Sequence, residues 1–218
     1  MGKRSYDQHC TVARALDVVG ERWTLLLVRE LLTGPKRFKD LLAGLPGIGT
    51  NLLAARLKAL GGHGIVRRAT LPPPAGSDVY ELTELGRSLE PVVLALSRWG
   101  SRLMEEPREG DDVRPAWAAM ALRSLFEPEA DGPRKVYEFR IDGETFHLRV
   151  EEGTVEARQG AADAPDVVAS GGAGDFLALT AGRLSPEGAL GSGRVRVEGE
   201  PEAVARCVRM LGSAVAAV

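Results

Sequence analysis

Residues Cys10–Leu60 read CTVARALDVVGERWTLLLVRELLTGPKRFKDLLAGLPGIGTNLLAARLKAL, and after Gly61–His63 the chain continues as GIVRRATLPPPAGSDVYELTELG over Gly64–Gly86. Apolar residues at helical spacing predict a helix over Thr11–Val19 that stops at Gly20. A second is expected over Arg22–Thr33, ended by Gly34-Pro35, and a short third over Phe38–Ala43 with Phe38, Leu41 and Leu42 inward. Beyond the turn Leu45–Gly49, Thr50 is expected to cap a fourth helix that runs to Leu60 and stops at Gly61-Gly62. Ile65–Thr70 and Val79–Leu82 read as strands, with Pro72–Pro74 in the loop between them because proline cannot donate to a ladder. Thr83 can cap a last helix continuing to Glu105, which Pro91 should kink or locally disrupt. Two helices joined by a tight turn, then a hairpin and a long helix, make the layout of a winged helix-turn-helix, which sets one helix in the DNA major groove.

On a helical wheel of the fourth helix, Leu53, Leu57 and Leu60 share one narrow sector and must face the core. Asn51, Ala54, Ala55, Lys58 and Ala59 fall opposite. Thr50 and Asn51 stand at the N-terminal end, where recognition helices meet base edges. Asparagine can pair with adenine through two hydrogen bonds, and alanine can lie against a thymine methyl. Arg56, on the flank, can reach a phosphate or a neighbouring acidic side chain. Lys36, Arg37, Lys39, Arg67 and Arg68 are candidates for phosphate contacts, with ordinary solvated surface charge as the competing reading for each. The charge distribution agrees with a polyanion partner for this half only. Residues 1–104 hold 15 Lys+Arg against 9 Asp+Glu, whereas residues 105–218 hold 13 against 21.

The 218 residues suffice for two modest domains. No apolar run is long enough to cross a membrane. The opening MGKRSYDQHC lacks an apolar signal core, and Cys10 and Cys207 are too few for a disulfide framework. A cytoplasmic protein is expected. Glu105–Pro115 is charged and bracketed by prolines, giving domains at 1–106 and 116–218 with a linker over 107–115. Val113–Phe126 is expected as a helix. Tyr137, Phe139 and Ile141 then alternate with polar residues, and after Asp142-Gly143 so do Phe146, Leu148 and Val150. A turn at Gly153 leads to Val155 and Ala157. This is an antiparallel meander with one wet face. A strand over Asp166–Ser170, a helix containing Phe176, Leu177 and Leu179, a strand over Gly193–Glu198 and a helix over Pro201–Leu211 complete the chain. The fold class is therefore a mainly α winged helix-turn-helix domain followed by an α+β domain with an antiparallel sheet.

The first half resembles the HxlR family of bacterial regulators, relatives of MarR. The resemblance implies a homodimer on a pseudo-palindromic operator in double-stranded DNA, more in keeping with a repressor than an activator. The stripe Leu85, Leu89, Val92, Leu96, Trp99 and Leu103, with Val93, offers the dimerisation surface, although burial within its own domain would use the same residues. Two recognition helices would then lie about 34–36 Å apart. Recognition helices of the family often read S-P-K-x-L-T-Q-R-L. Here Gly49, Thr50, Asn51, Ala54 and Ala55 replace the S, P, K, T and Q, while Arg56 and Leu57 are retained, so no relative's operator carries over. Ser77 and Asp78 stand where the wing tip usually offers an arginine. Cys10 matches the N-terminal cysteine that in some members reacts with quinones, aldehydes or oxidants. Arg14 and the helix start could stabilise its thiolate; a small packed residue is the alternative.

The stretch DVVASGGAGDFLALTAGRLSPEGALGSGRVRVEGEPEAVARCVRML, Asp166–Leu211, resembles the sterol carrier protein type-two-like fold. Its turn-of-helix motif is matched by Gly182, Leu184, Ser185, Pro186 and Ala189, and its late strand by Gly193, Val195, Val197, Gly199 and Glu200. The resemblance implies a cavity for a small hydrophobic effector, for which Trp117, Met120, Phe139, Phe146, Phe176 and Leu179 are the candidate lining; core packing is the competing reading. No cofactor and no metal site is expected, since His9, His63 and His147 are scattered and lack a second ligand at metal spacing. No nucleophile elbow or phosphate-binding loop points to an enzyme. The rival to a regulator is a cytosolic carrier of hydrophobic ligands with a non-regulatory helical module.

Overall fold

The computed structural model describes residues 5–73, 76–108, 110–126 and 133–216. The chain divides into two compact units, Met1–Val93 and Leu94–Val218. The first contains α1 (Thr11–Val19), α2 (Thr24–Leu32), α3 (Phe38–Gly44), α4 (Thr50–Gly62), the hairpin β1 (Val66–Thr70) and β2 (Asp78–Leu82), and α5 (Glu84–Arg87); α6 (Glu90–Ser101) runs across the division. Leu27, Val28, Leu31, Leu41, Leu53, Leu57 and Leu60 form its core with Val66 and Leu82. The helix residues among these are the apolar positions that the helical period selects.

Several boundaries differ from expectation, each for a local reason. Helix α2 starts at Thr24 because Trp23 takes a left-handed backbone, φ 78°, and its carbonyl accepts the Leu27 N–H at 2.8 Å. Thr50 is the first residue of α4 rather than its cap; Gly49 holds the cap position and supplies no side-chain acceptor. The helix continues through Gly61 and Gly62 because the left-handed exit falls at Gly64, φ 70°, which lets the Ile65 N–H reach the Leu60 carbonyl at 2.9 Å. The single helix expected after Thr83 is two. The Thr83 hydroxyl accepts the Gly86 N–H at 3.1 Å to start α5, the chain breaks at Ser88-Leu89, and Pro91 sits in the first turn of α6, where no amide donor is needed. At Gly86 a β-carbon would run into the Ile65 carbonyl and Leu82, so α5 packs closely on the hairpin. Lys36 bridges to Tyr80 through both backbone bonds, 3.0 and 2.8 Å, and so extends the hairpin edge. Pro74, expected in the wing loop, and Glu109, in the expected linker, lie outside the described residues.

The second unit contains α7 (Pro115–Leu125), β3 (Lys135–Ile141), β4 (Glu144–Glu151), β5 (Thr154–Gln159), β6 (Val167–Gly171), α8 (Ala173–Thr180), α9 (Pro186–Gly191), β7 (Val195–Gly199) and α10 (Pro201–Ala216). The sheet order is β5-β4-β3-β6-β7. The meander β3–β4–β5 turns at Asp142-Gly143 and Glu152-Gly153, all four residues with positive φ, as tight hairpins require. The sheet is antiparallel except that β6 lies parallel to β3. Asp166 fixes that pairing. Its carboxylate accepts the Val136 N–H at 2.7 Å and its own N–H donates to the Val136 carbonyl at 2.9 Å.

One face of the sheet packs against helices through Tyr137, Phe139, Ile141, Phe146, Leu148, Phe176 and Leu179. The opposite face is not uniformly wet. Glu138 and its cross-strand partner His147 are buried there, at 2% and 9% exposure. The segment after β5 folds back over them: Glu138 accepts the Ala162 N–H at 2.9 Å, and the His147 Nδ1 lies 2.9 Å from the Gly160 carbonyl. Among the described residues no helix is long and apolar enough to cross a membrane.

Candidate nucleic-acid interface

Helices α3 and α4 meet through the turn Leu45–Gly49. Leu45 and Ile48 are buried, and Gly47 carries φ 87° directly over the edge of the Trp23 ring. With Leu53, Leu57 and Leu60 committed to the core, the rest of α4 is fixed in orientation. Thr50, Asn51, Ala54, Ala55, Lys58 and Ala59 are exposed together, and Leu52 joins them at 37% exposure. Leu52 was not singled out from the sequence, since an isolated leucine beside an apolar stripe reads as core.

Arg56 is not part of that outward group. Its Nη2 donates to the Glu21 carboxylate at 2.9 Å and its Nε to the Arg22 carbonyl at 3.2 Å. Of the two options the sequence left open for Arg56, the structure contains the acidic neighbour. Glu21 itself gave no signal, being 35 residues away. Around α4, Lys39 is exposed and Lys36 and Arg37 are half-buried. The Arg37 N–H donates to the Asp40 carboxylate at 3.3 Å, which ties off the start of α3. At the hairpin base Arg67 is exposed and paired with Glu81 at 2.7 Å, while the Arg68 guanidinium lies over the Tyr80 ring, 5.4 Å from its centroid. Tyr80 thus orients a candidate phosphate contact, a role the strand pattern does not reveal.

The other candidate residues occupy separate places. Leu85, Val92, Leu96, Trp99 and Leu103 are all exposed, Trp99 at 60%, whereas Leu89 packs on the first unit's core and Val93 is buried. Cys10 sits exposed at the start of α1. It makes no side-chain cap hydrogen bond, but the nearby backbone N–H groups of Ala13 and then Val12 hold the thiol below its ordinary range. Arg14 does not assist as expected, since its Nη1 turns to Asp17 at 3.5 Å. Cys207 is buried, which pushes its thiol up to about 12. Of the candidate cavity residues, Phe139, Phe146, Phe176 and Leu179 belong to the packed core, with Phe139 and Phe176 edge to face at 5.9 Å. Met120 is buried and Trp117 is half-buried beneath the Arg114 guanidinium. The Tyr137 hydroxyl, in the same core, is buried without a hydrogen-bond partner among the described residues.

Residues 18–108 match the family model described as HxlR-like helix-turn-helix. Residues 116–211 match the model described as the SCP-2 sterol transfer family. An uncharacterized HTH-type transcriptional regulator of Synechocystis sp. is 36% identical over 97 residues, 44% of this chain and 72% of that protein. The HTH-type transcriptional regulator YodB of Bacillus subtilis is 37% identical over 99 residues, 45% of this chain and 86% of its own length. The uncharacterized regulator YvaP of the same organism is 34% identical over 92 residues, 42% of this chain and 85% of its own length. These relatives are named as regulators and not as enzymes. Spanned over most of their length at such identity, they establish that the chain belongs to the HxlR-like helix-turn-helix family.

Proposed function

We propose that this protein is a sequence-specific DNA-binding transcriptional regulator of the cytoplasm, acting as a homodimer that represses by occupying promoter DNA. The observation that carries the reading is the outward face of α4, exposed from Thr50 to Ala59 while its opposite face is locked into the core. Lys36, Arg37, Lys39, Lys58, Arg67 and Arg68 lie before, on and after it in the chain, suited to phosphates. The relatives' names as transcriptional regulators support the same assignment. The exposed stripe Val92, Leu96, Trp99 and Leu103 supports pairing of two copies, which would set two α4 helices on consecutive major grooves of a pseudo-palindrome.

Two inputs fit the regulator. One is a small hydrophobic effector held by residues 116–218, supported by the SCP-2 match. The other is modification of Cys10, supported by its exposure and lowered thiol. Either can change operator affinity only by favouring one of two arrangements of the protein.

A mobility-shift titration of the full chain against DNA upstream of its own gene, over a salt series, tests the reading. Specific binding with a steep salt dependence is expected. Asn51→Ala should weaken the specific complex by about 1 kcal/mol or more while leaving random DNA unaffected. Binding that never exceeds that of random DNA rejects the regulator in favour of a hydrophobic-ligand carrier. Cys10→Ser should bind the operator normally and lose any response to electrophiles.

A further inference from the structure

The outward face of α4 is short of hydrogen-bonding groups. Thr50 and Asn51 open it and Lys58 stands two turns on, but Leu52, Ala54, Ala55 and Ala59 present only methyl and methylene groups. Arg56, the one guanidinium on this helix, is turned back onto Glu21 and the Arg22 carbonyl, with 21% of its side chain exposed. The fork that would grip guanine O6 and N7 is therefore occupied by the protein itself. Lysine, a point charge on a flexible stem, serves a phosphate as well as a base.

In the major groove the four bases offer donors and acceptors, and thymine alone among them adds an apolar group, its C5-methyl. An alanine methyl set against guanine or adenine strips water from N7 or O6 without replacing the hydrogen bond, which is costly. Set against thymine, it buries one methyl on another. We infer that α4 reads its half-site through thymine C5-methyl groups packed on Ala55 at the centre of the outward face, with Ala54 and Leu52 on its two flanks. Asn51 takes one adenine, and the helix supplies no guanidinium to anchor a guanine. The ligand class is a duplex with clustered T·A pairs at the contacted positions. The inference rests on the reading that α4 enters the major groove.

The test begins with selection of duplexes from a random library by the full-length protein. Each thymine of the selected half-site is then replaced by uracil, which pairs identically and lacks only the methyl. Affinity is measured by fluorescence anisotropy at fixed salt. About fourfold weakening is expected at each contacted thymine, the equivalent of one methyl no longer buried, and none at thymines outside the half-site. Ala55→Gln, at an exposed position, should abolish the thymine-to-uracil difference at one base pair and leave it in place at the others. Selected sites that bind equally well with uracil, or that centre on guanine, overturn the methyl readout alone and leave α4 as the DNA-reading helix. Failure to select any sequence over random DNA overturns both this inference and the regulator reading.

Discussion

At Arg56 the guanidinium meets the Glu21 carboxylate 2.9 Å away and the Arg22 carbonyl at 3.2 Å, although Glu21 is itself 44% exposed. A pair so open to solvent contributes at most about 1 kcal/mol to stability. Its larger consequence is to withhold a positive charge from the helix surface. Glu21→Gln should leave thermal stability nearly unchanged and raise affinity for random DNA. It should also steepen the salt dependence by about one released counterion. An unchanged salt slope in the variant would show that Arg56 stays folded back without its partner. The two cysteines make a second contrast at this scale. The Cys10 thiol is held low by the Ala13 and Val12 N–H groups, which favour the thiolate, whereas burial disfavours ionisation of Cys207 and pushes it up to about 12. Because the thiolate is the reactive form, alkylation of Cys10 should rise with pH, reach half its maximum below the ordinary 9.0 and level off above that. Cys207 should stay unlabelled until the protein is denatured. Peptide mapping after iodoacetamide treatment across a pH series reads both; a Cys10 midpoint at or above 9.0 would contradict the assignment.

Helix α4 is built for exposure at some cost to its own start. Gly49 occupies the cap position with no side-chain acceptor, and a β-carbon there would meet nothing within 4 Å among the described residues. Gly49→Asp should therefore be tolerated and gain a few tenths of a kcal/mol from capping. The same carboxylate would sit beside Thr50 and Asn51, where phosphates are expected. Operator affinity should fall at least tenfold while the melting temperature holds or rises slightly. Affinity unaffected by the new charge would place the DNA away from this end of the helix. The elements themselves were largely legible because period and terminators agree: α1 and α3 lie within a residue of expectation, and the meander turns at Asp142-Gly143 and Gly153 as expected. What stayed hidden depends on distant chain segments. The break at Ser88-Leu89 comes where α5 is pressed onto the Ile65 carbonyl. The parallel β3–β6 pair is specified by Asp166 reaching Val136, 30 residues away. Glu138 and His147 alternate like surface residues, yet residues 160–162 fold over them. Alternation reports which face a side chain takes, not what later covers that face.

Across the whole chain, net positive charge is confined to residues 1–104 and net negative charge to 105–218, which suits a basic DNA-facing module joined to one that takes no part in binding a polyanion. That division, and the two family matches that follow it, could be read from composition and motifs. The use of the α6 surface could not, because the same apolar spacing serves internal packing and pairing alike. The structure separates the two: Val93 turns inward at 7% exposure, whereas Val92, Leu96, Trp99 and Leu103 range from 45% to 63%. Val92, Leu96 and Trp99 on α6, with Leu103 just past its end at Ser101, are the surface proposed for pairing. Leu96→Glu combined with Trp99→Glu should leave the fold intact, since neither side chain contributes much burial and glutamate is a good helix former. Two carboxylates on the seam would repel their symmetry mates across an isologous interface. Sedimentation equilibrium should then report a dimer for the wild-type chain and a monomer for the double variant. Operator affinity should collapse toward that of a single half-site, because the two recognition helices no longer bind as one body. Circular dichroism separates this outcome from unfolding, and a double variant that remains dimeric would move the seam to another face of the molecule.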